Sequence, residues 1–157
     1  MFYKGDKIVY PVYGGGIVED IEKDENGESY YLISTIFGGL KIKLSTAKAE
    51  NVGLRKVSSE KEVIETIKQV SSSQITSSDN WNQRYKENLQ KIKTGRLEEV
   101  AQVAKNLKLR ENTKNLSNVE KKMFNNAKQI IISEIILSNN IVKEKAEELL
   151  ANLLFNC

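Results

Sequence analysis

The stretch LRKVSSEKEVIETI, Leu54–Ile67, changes its period part-way along. Leu54 to Val57 is the last of several short segments suited to β-strands. From Ser58 onward, Val63, Ile64 and Ile67 recur at the spacing of one helical face. Upstream of this point the chain reads as β, and downstream it reads as α.

Working back from Leu54, four more segments are rich in β-branched or aromatic residues: Lys7 to Tyr10, Ile17 to Ile21, Tyr30 to Thr35 and Leu40 to Leu44. Gly14-Gly15-Gly16, Asn26-Gly27 and Gly38-Gly39 separate them. Asn-Gly between alternating apolar runs predicts a type I′ hairpin, in which both central residues take positive φ. The triple glycine lacks the Gly-Lys-Ser/Thr ending of a phosphate loop and leads into a strand, so it is expected to form a turn or bulge. Together these segments predict a small, strongly bent antiparallel barrel. Tyr30, Tyr31 and Phe37 are expected in its core.

Working forward, the helix carrying Val63 and Ile67 is short, and SSSQITSS after it reads as a polar linker. The expected division is therefore 1–70 with a closing helix, a linker over 71–79, and 80–157. Beyond the linker every apolar stripe is helical. Tyr85, Leu89 and Ile92 form one, with Gly95 placed to end it. Leu97, Val100, Ala101, Ala104 and Leu107 form the next. Ser117-Asn118-Val119-Glu120 reads as a capping box opening a long helix through Ile135, and Val142 to Leu153 supplies the last. Four such stripes can bury one another as a bundle. The fold class is thus α+β, a β-barrel followed by an all-α bundle.

The composition, 39% hydrophobic and 29% charged over 157 residues, is that of a globular protein. The N-terminus does not read as a signal peptide, and no stretch approaches 18 apolar residues, so a cytoplasmic location without membrane contact is expected. With no histidine and a single cysteine, Cys157, the chain lacks the usual zinc ligands and proton shuttle. No carboxylate cluster has metal-ligand spacing. Neither an enzyme nor a metal or cofactor is expected.

Charge is distributed unevenly. Residues 1–70 hold 10 Lys+Arg against 11 Asp+Glu, whereas 81–122 hold 11 against 5. A basic excess confined to one part of the chain can be a footprint for phosphates. Within it stands Trp81, the only tryptophan, at the polar start of a helix. Helical geometry puts it near the Tyr85 and Ile92 stripe, flanked by Arg84 and Lys91 on one side and Lys86 and Lys93 on the other. It could cap a small core, or it could stack on a base or wedge between base steps. In the first half, Lys41 and Lys43 alternate with Leu40, Ile42 and Leu44, which puts both lysines on one face of a strand. That face could be solvated, could discourage strand pairing, or could set register against a partner's sheet.

In order and spacing, FYKGDKIVYPVYGGGIVEDI, NVGLRKV, NWNQRYKENLQKIKTG and LSNVEKKMFNNAKQI resemble the CarD/CdnL bacterial transcription regulators over nearly the whole chain. The resemblance implies a Tudor-like (SH3-like) N-terminal domain that binds the RNA polymerase β subunit. It also implies a helical C-terminal domain that touches promoter DNA at the upstream edge of the transcription bubble. In the family, the tryptophan matching Trp81 wedges into the minor groove at that fork and slows bubble collapse. Carried over, Trp81, Arg84, Lys86, Lys91 and Lys121 are the expected DNA-binding residues, and Lys41, Ile42 and Lys43 the expected polymerase contact. Lys43 stands where relatives often have arginine, Leu44-Ser45 where Val-Pro is usual, and Gln83 where a basic residue is common. A monomeric, nucleoid-associated regulator of open-complex stability is the resulting expectation. Its rival is a protein-protein adaptor without DNA binding.

Overall fold

The computed structural model describes residues 1–74 and 77–155. Positions 75 and 76 of the expected linker, and Cys157, lie outside the described residues.

Five strands, β1 (Lys7–Tyr10), β2 (Gly14–Lys23), β3 (Ser29–Thr35), β4 (Lys41–Ser45) and β5 (Arg55–Lys56), form one antiparallel sheet in the order β4-β3-β2-β1-β5. This is the expected small antiparallel β unit, with β4 and β5 at its two ends. β2 is long because it spans the sheet, and a register shift between Val18 and Asp20 bends it where it crosses from β1 to β3. The Asn26-Gly27 hairpin forms, but Gly27 alone is left-handed, at φ 80°. Asp24 explains the difference. Its carbonyl accepts from Gly27 N–H at 3.0 Å, and its Oδ1 accepts from the N–H groups of Asn26 and Glu28, both at 2.9 Å. The result is a three-residue loop closed by a bulge instead of a type I′ turn.

Ile8, Val18, Tyr31, Ile33, Leu44, Ala49 and Leu54 form the sheet's core. A 3₁₀ turn, Thr46–Lys48, and the short helix α1 (Ala49–Val52) follow β4, and α1 places Ala49 in that core. Of the three aromatics expected there, only Tyr31 takes part; Tyr30 stays partly exposed and Phe37 packs on the helices.

The helices are α2 (Glu60–Ser72), α3 (Trp81–Thr94), α4 (Leu97–Thr113), α5 (Asn118–Asn139) and α6 (Lys143–Leu150), ending in a π-helical turn, Ala151–Phe155. Here the structure departs from the expected division, because α2 does not close the sheet. Its buried face, Val63, Ile67 and Val70, joins the helical core of Val100, Leu107, Ile131, Ile135 and Leu150. α1 packs Ala49 on the sheet core, whereas the α2 stripe packs on helices. A capping box starts α2, with Ser59 Oγ accepting from Glu62 N–H and Glu62 Oε1 from Ser59 N–H. The box expected at Ser117 is only half formed. Ser117 Oγ accepts from Glu120 N–H at 3.2 Å, but the Glu120 carboxylate reaches Arg84.

Sheet and helices are joined along α5. Gly15 N–H donates to Ser133 Oγ at 2.7 Å, and a Cβ on Gly15 would stand 2.8 Å from the Leu137 Cδ1 methyl. The glycines are therefore a seat for a helix, which only the absence of a side chain permits. Lys7 Nζ caps the end of α5 through Leu137 O (2.9 Å) and Asn140 Oδ1 (2.7 Å). Glu134, 0% exposed, accepts from Arg55 Nη2 at 2.6 Å, Arg55 Nη1 at 2.8 Å and Ser58 N–H at 2.9 Å. The same guanidinium donates to Gly95 O, ahead of α4. A buried carboxylate is stable only with such partners.

Candidate nucleic-acid interface

Asn80 caps α3, its side chain accepting from Gln83 N–H at 3.0 Å, and Trp81 is the first helical residue. Its indole lies flat on Tyr85, with ring centroids 5.5 Å apart and planes 6° from parallel. One edge points at α5, where Nε1 is 3.4 Å from Ser117 Oγ. The side chain is nevertheless 41% exposed. It is neither a core residue nor a free one, but a large apolar surface held in place and offered outward.

Beside it runs a mainly apolar groove of about 340 Å³, lined among others by Tyr85, Leu89, Val119, Lys122 and Val12. Val119 and Val12 are 44% and 37% exposed. Val12 comes from the turn between β1 and β2 and has φ 76°, an unusual conformation for a β-branched residue. Its neighbour Pro11 lies against Gly95 at the end of α3. Thus the sheet's own turn completes one wall of a groove otherwise made by α3 and α5. Val12, Val119 and Lys122 carry no signal in the sequence, because the first lies in another segment and the others look like ordinary residues near the start of a long helix.

The expected basic residues do not share one face. Lys86 is exposed on α3, about 140° round the helix from Trp81 at ~100° per residue. Lys91 is half-buried near the far end of α3, about 15 Å along the axis at 1.5 Å per residue. Lys121 is exposed and lines a separate cleft with Lys108 and Lys128, whereas Lys122 borders the groove. Arg84 departs furthest from expectation, being 2% exposed and bonded to Glu120 through Nε at 2.8 Å and Nη2 at 3.4 Å. Burial opposes ionisation of Glu120, but the hydrogen bonds and charge of Arg84, with help from Arg110 and the Ser117 backbone, hold its carboxyl below the ordinary value.

On the sheet, Lys41 and Lys43 do point to one side of the edge strand β4, while Ile42 turns inward and packs on the core. Lys41 Nζ is held by Glu19 at 2.9 Å and Ser34 Oγ at 3.1 Å. This contact lowers the Glu19 carboxyl below its usual range. Lys43 Nζ lies 4.7 Å from the centroid of the Tyr30 ring. Tyr30 hydroxyl in turn donates toward Asp24 and Glu28.

The chain is thus an α+β protein, an antiparallel five-stranded sheet of Tudor-like type fixed to a helical part that presents an exposed indole stacked on Tyr85. The CarD-like/TRCF RID domain matches residues 2–58 and the CarD C-terminal domain matches residues 62–151. YdeB of Bacillus subtilis (strain 168), named as a proposed transcription factor, is 34% identical over 151 residues, covering 92% of this chain and 97% of its own. The chain belongs to the CarD family of transcription regulators. The two matched regions meet at the start of α2, which agrees with the packing of that helix on the helical part. Among the described residues, no helix is long and apolar enough to cross a membrane.

Proposed function

We propose that this protein bridges the RNA polymerase β subunit and promoter DNA at the upstream edge of the transcription bubble, and so changes the lifetime of the open complex. The β4 edge takes the polymerase, and the Trp81 tip takes the DNA. The observation that carries the reading is the state of Trp81: the only indole in the chain, 41% exposed and stacked on one face by Tyr85, beside the groove that Lys122 borders. An ordered aromatic of this kind gains contact when a base step opens and has little to gain from closed duplex. A contact made only with the melted fork favours that state over the closed one by its own free energy. Sequence readout is not required, and the lysines supply a salt-sensitive attraction to phosphates.

The test is Trp81→Ala. Stacking worth ~1 to 3 kcal/mol per base is removed, so the open complex on a ribosomal RNA promoter should decay roughly 5- to 150-fold faster, at ~1.4 kcal/mol per decade. Thermal stability should fall far less than the ~3 to 5 kcal/mol of a buried aromatic deletion. A folded variant that prolongs the open complex as well as the parent would overturn the reading. Absence of any salt-dependent affinity for forked DNA would favour the adaptor.

A further inference from the structure

Arg84 lies three residues from the indole, about 60° round the helix at ~100° per residue, and against the same first turn of α5, but its side chain is buried where the indole is not. Its guanidinium donates to Glu120 through Nε and Nη2, and through Nη1 to two backbone carbonyls, Ser78 O at 3.1 Å and Asp79 O at 3.3 Å. Those carbonyls belong to the residues that lead the chain into the Asn80 cap and Trp81. A planar fork of donors can bind a carboxylate and neighbouring carbonyls at once, which an ammonium cannot. Glu120 occupies the first turn of α5, and its carboxylate accepts from Ser117 hydroxyl at 3.4 Å. That same Ser117 oxygen is the one facing Trp81 Nε1 at 3.4 Å. A continuous polar chain therefore runs from Arg84 through Glu120 and Ser117 to the indole edge, while Tyr85 supports the indole face. At 2% exposure, with its charge matched by a carboxylate 3% exposed, Arg84 has neither the access nor the unbalanced charge to hold a phosphate.

We infer that Arg84, acting through Glu120 and Ser117, is a positioning residue that fixes the indole of Trp81 for DNA, and that it is not a phosphate contact. The inference rests on the proposed role of Trp81 and adds how that role is prepared. An indole already ordered in the free protein loses less freedom on binding, so more of its stacking energy appears as stabilisation of the open state. Long contacts at both ends of the Ser117 hydroxyl make the arrangement dependent on the shorter Arg84 and Glu120 bond beneath it.

Because Trp81 is the sole tryptophan, its fluorescence reports the indole alone. In Arg84→Lys, which keeps the charge and loses the fork, acrylamide quenching should rise and the emission anisotropy should gain a fast decay. Open-complex lifetime should fall toward that of Trp81→Ala. In the double variant Arg84→Gln with Glu120→Gln, which leaves no uncompensated buried charge, the log-log salt slope of binding to forked DNA should equal that of the parent. A phosphate contact predicts instead a slope smaller by ~0.9. A reduced slope, or quenching and anisotropy unchanged in Arg84→Lys, overturns the inference. Should circular dichroism show either Arg84 variant unfolded, Ser117→Ala carries the same test, because it breaks the chain at the cost of one cap; Ser117→Thr should restore the parent's anisotropy, and failure to do so overturns the inference. If Trp81→Ala leaves open-complex lifetime untouched, the functional reading fails by itself, and the indole measurements still decide the role of Arg84.

Discussion

Glu120 shows how a single buried residue ties the tip of α3 to α5. Its carboxyl is 3% exposed and held below the ordinary value of 4.5, facing the charges of Arg84 and Arg110 and the Ser117 hydroxyl. A carboxyl with a depressed folded value contributes stability that is present above the unfolded value and lost as pH falls through the folded one. Glu120→Gln leaves Arg84 buried without a counter-charge, a change that typically costs about 3 to 5 kcal/mol. The urea midpoint of the variant should therefore lie below that of the parent at neutral pH. The gap should narrow on acidification below 4.5, as the parent's own carboxyl takes up a proton. A gap independent of pH would show that the ionised pair is not what stabilises this junction. The sequence could not reveal the pair. Arg84 and Lys86 look equivalent on paper, and the partner that buries one of them is 36 residues away. Exposed Trp81 was legible as an anomaly, a large apolar side chain at a polar helix start, but its support by Tyr85 and Ser117 was not.

Among the elements, the edge strand β4 carries the clearest consequence of exposure. Lys43 is exposed, lies over the Tyr30 ring and acts on Asp24 by charge alone, so its replacement should leave the sheet intact, within the ~0.5 kcal/mol usual for surface changes. Lys43→Glu should weaken capture of the polymerase β subunit by ~10-fold or more, since like charges juxtaposed across an interface cost several kcal/mol. Lys43→Arg should strengthen it if the partner presents a carboxylate that a guanidinium can grip with two hydrogen bonds. Undiminished capture by a folded Lys43→Glu protein would place the contact elsewhere on the sheet. Elements of this kind were readable in the sequence because local pattern sets them. β-branched runs gave all five strands, and the helical stripes with Gly95 and Ser117 gave the start and end of α3 and the start of α5. What local pattern does not contain is the partner of each face. The Val63 and Ile67 stripe is the same whether it closes a sheet or joins a bundle, and the core it joins is made mainly by α4 and α5, helices that begin about 30 residues or more further along the chain. Asp24 likewise redirected the Asn26-Gly27 turn by accepting two N–H groups, a bond pattern that Asn-Gly alone does not announce.

For the molecule as a whole, the proposed bridge works only if force and position pass between the β4 edge and the Trp81 tip, and α5 is the member through which they pass. It begins at Ser117, beside the indole, and further along rests on Gly14 and Gly15 of β2. It also receives Arg55 of β5 at Glu134 and Lys7 of β1 at its end. A hinge between two loosely tethered parts would let the indole wander relative to a polymerase held at β4, and the stacking contact would then bear the entropy of that motion. The seat on the glycines is the place to test this. Gly15→Ala puts a Cβ 2.8 Å from the Leu137 methyl and 3.1 Å from the Ser133 backbone, and helix backbone cannot yield as a flexible side chain can. Overpacking of this kind costs ~1 to 3 kcal/mol, which for a chain of this length lowers Tm by about 2 to 12 °C. Because Gly15 touches neither proposed partner surface, isolated binding to the β subunit and to forked DNA should survive at temperatures well below the new Tm. Open-complex lifetime should nevertheless shorten, since only the joint contact needs α5 in its seat. A Gly15→Ala protein with the parent's Tm would mean that α5 does not press on β2 in solution. One with lowered Tm but full open-complex activity would show that bridging tolerates a loosened junction.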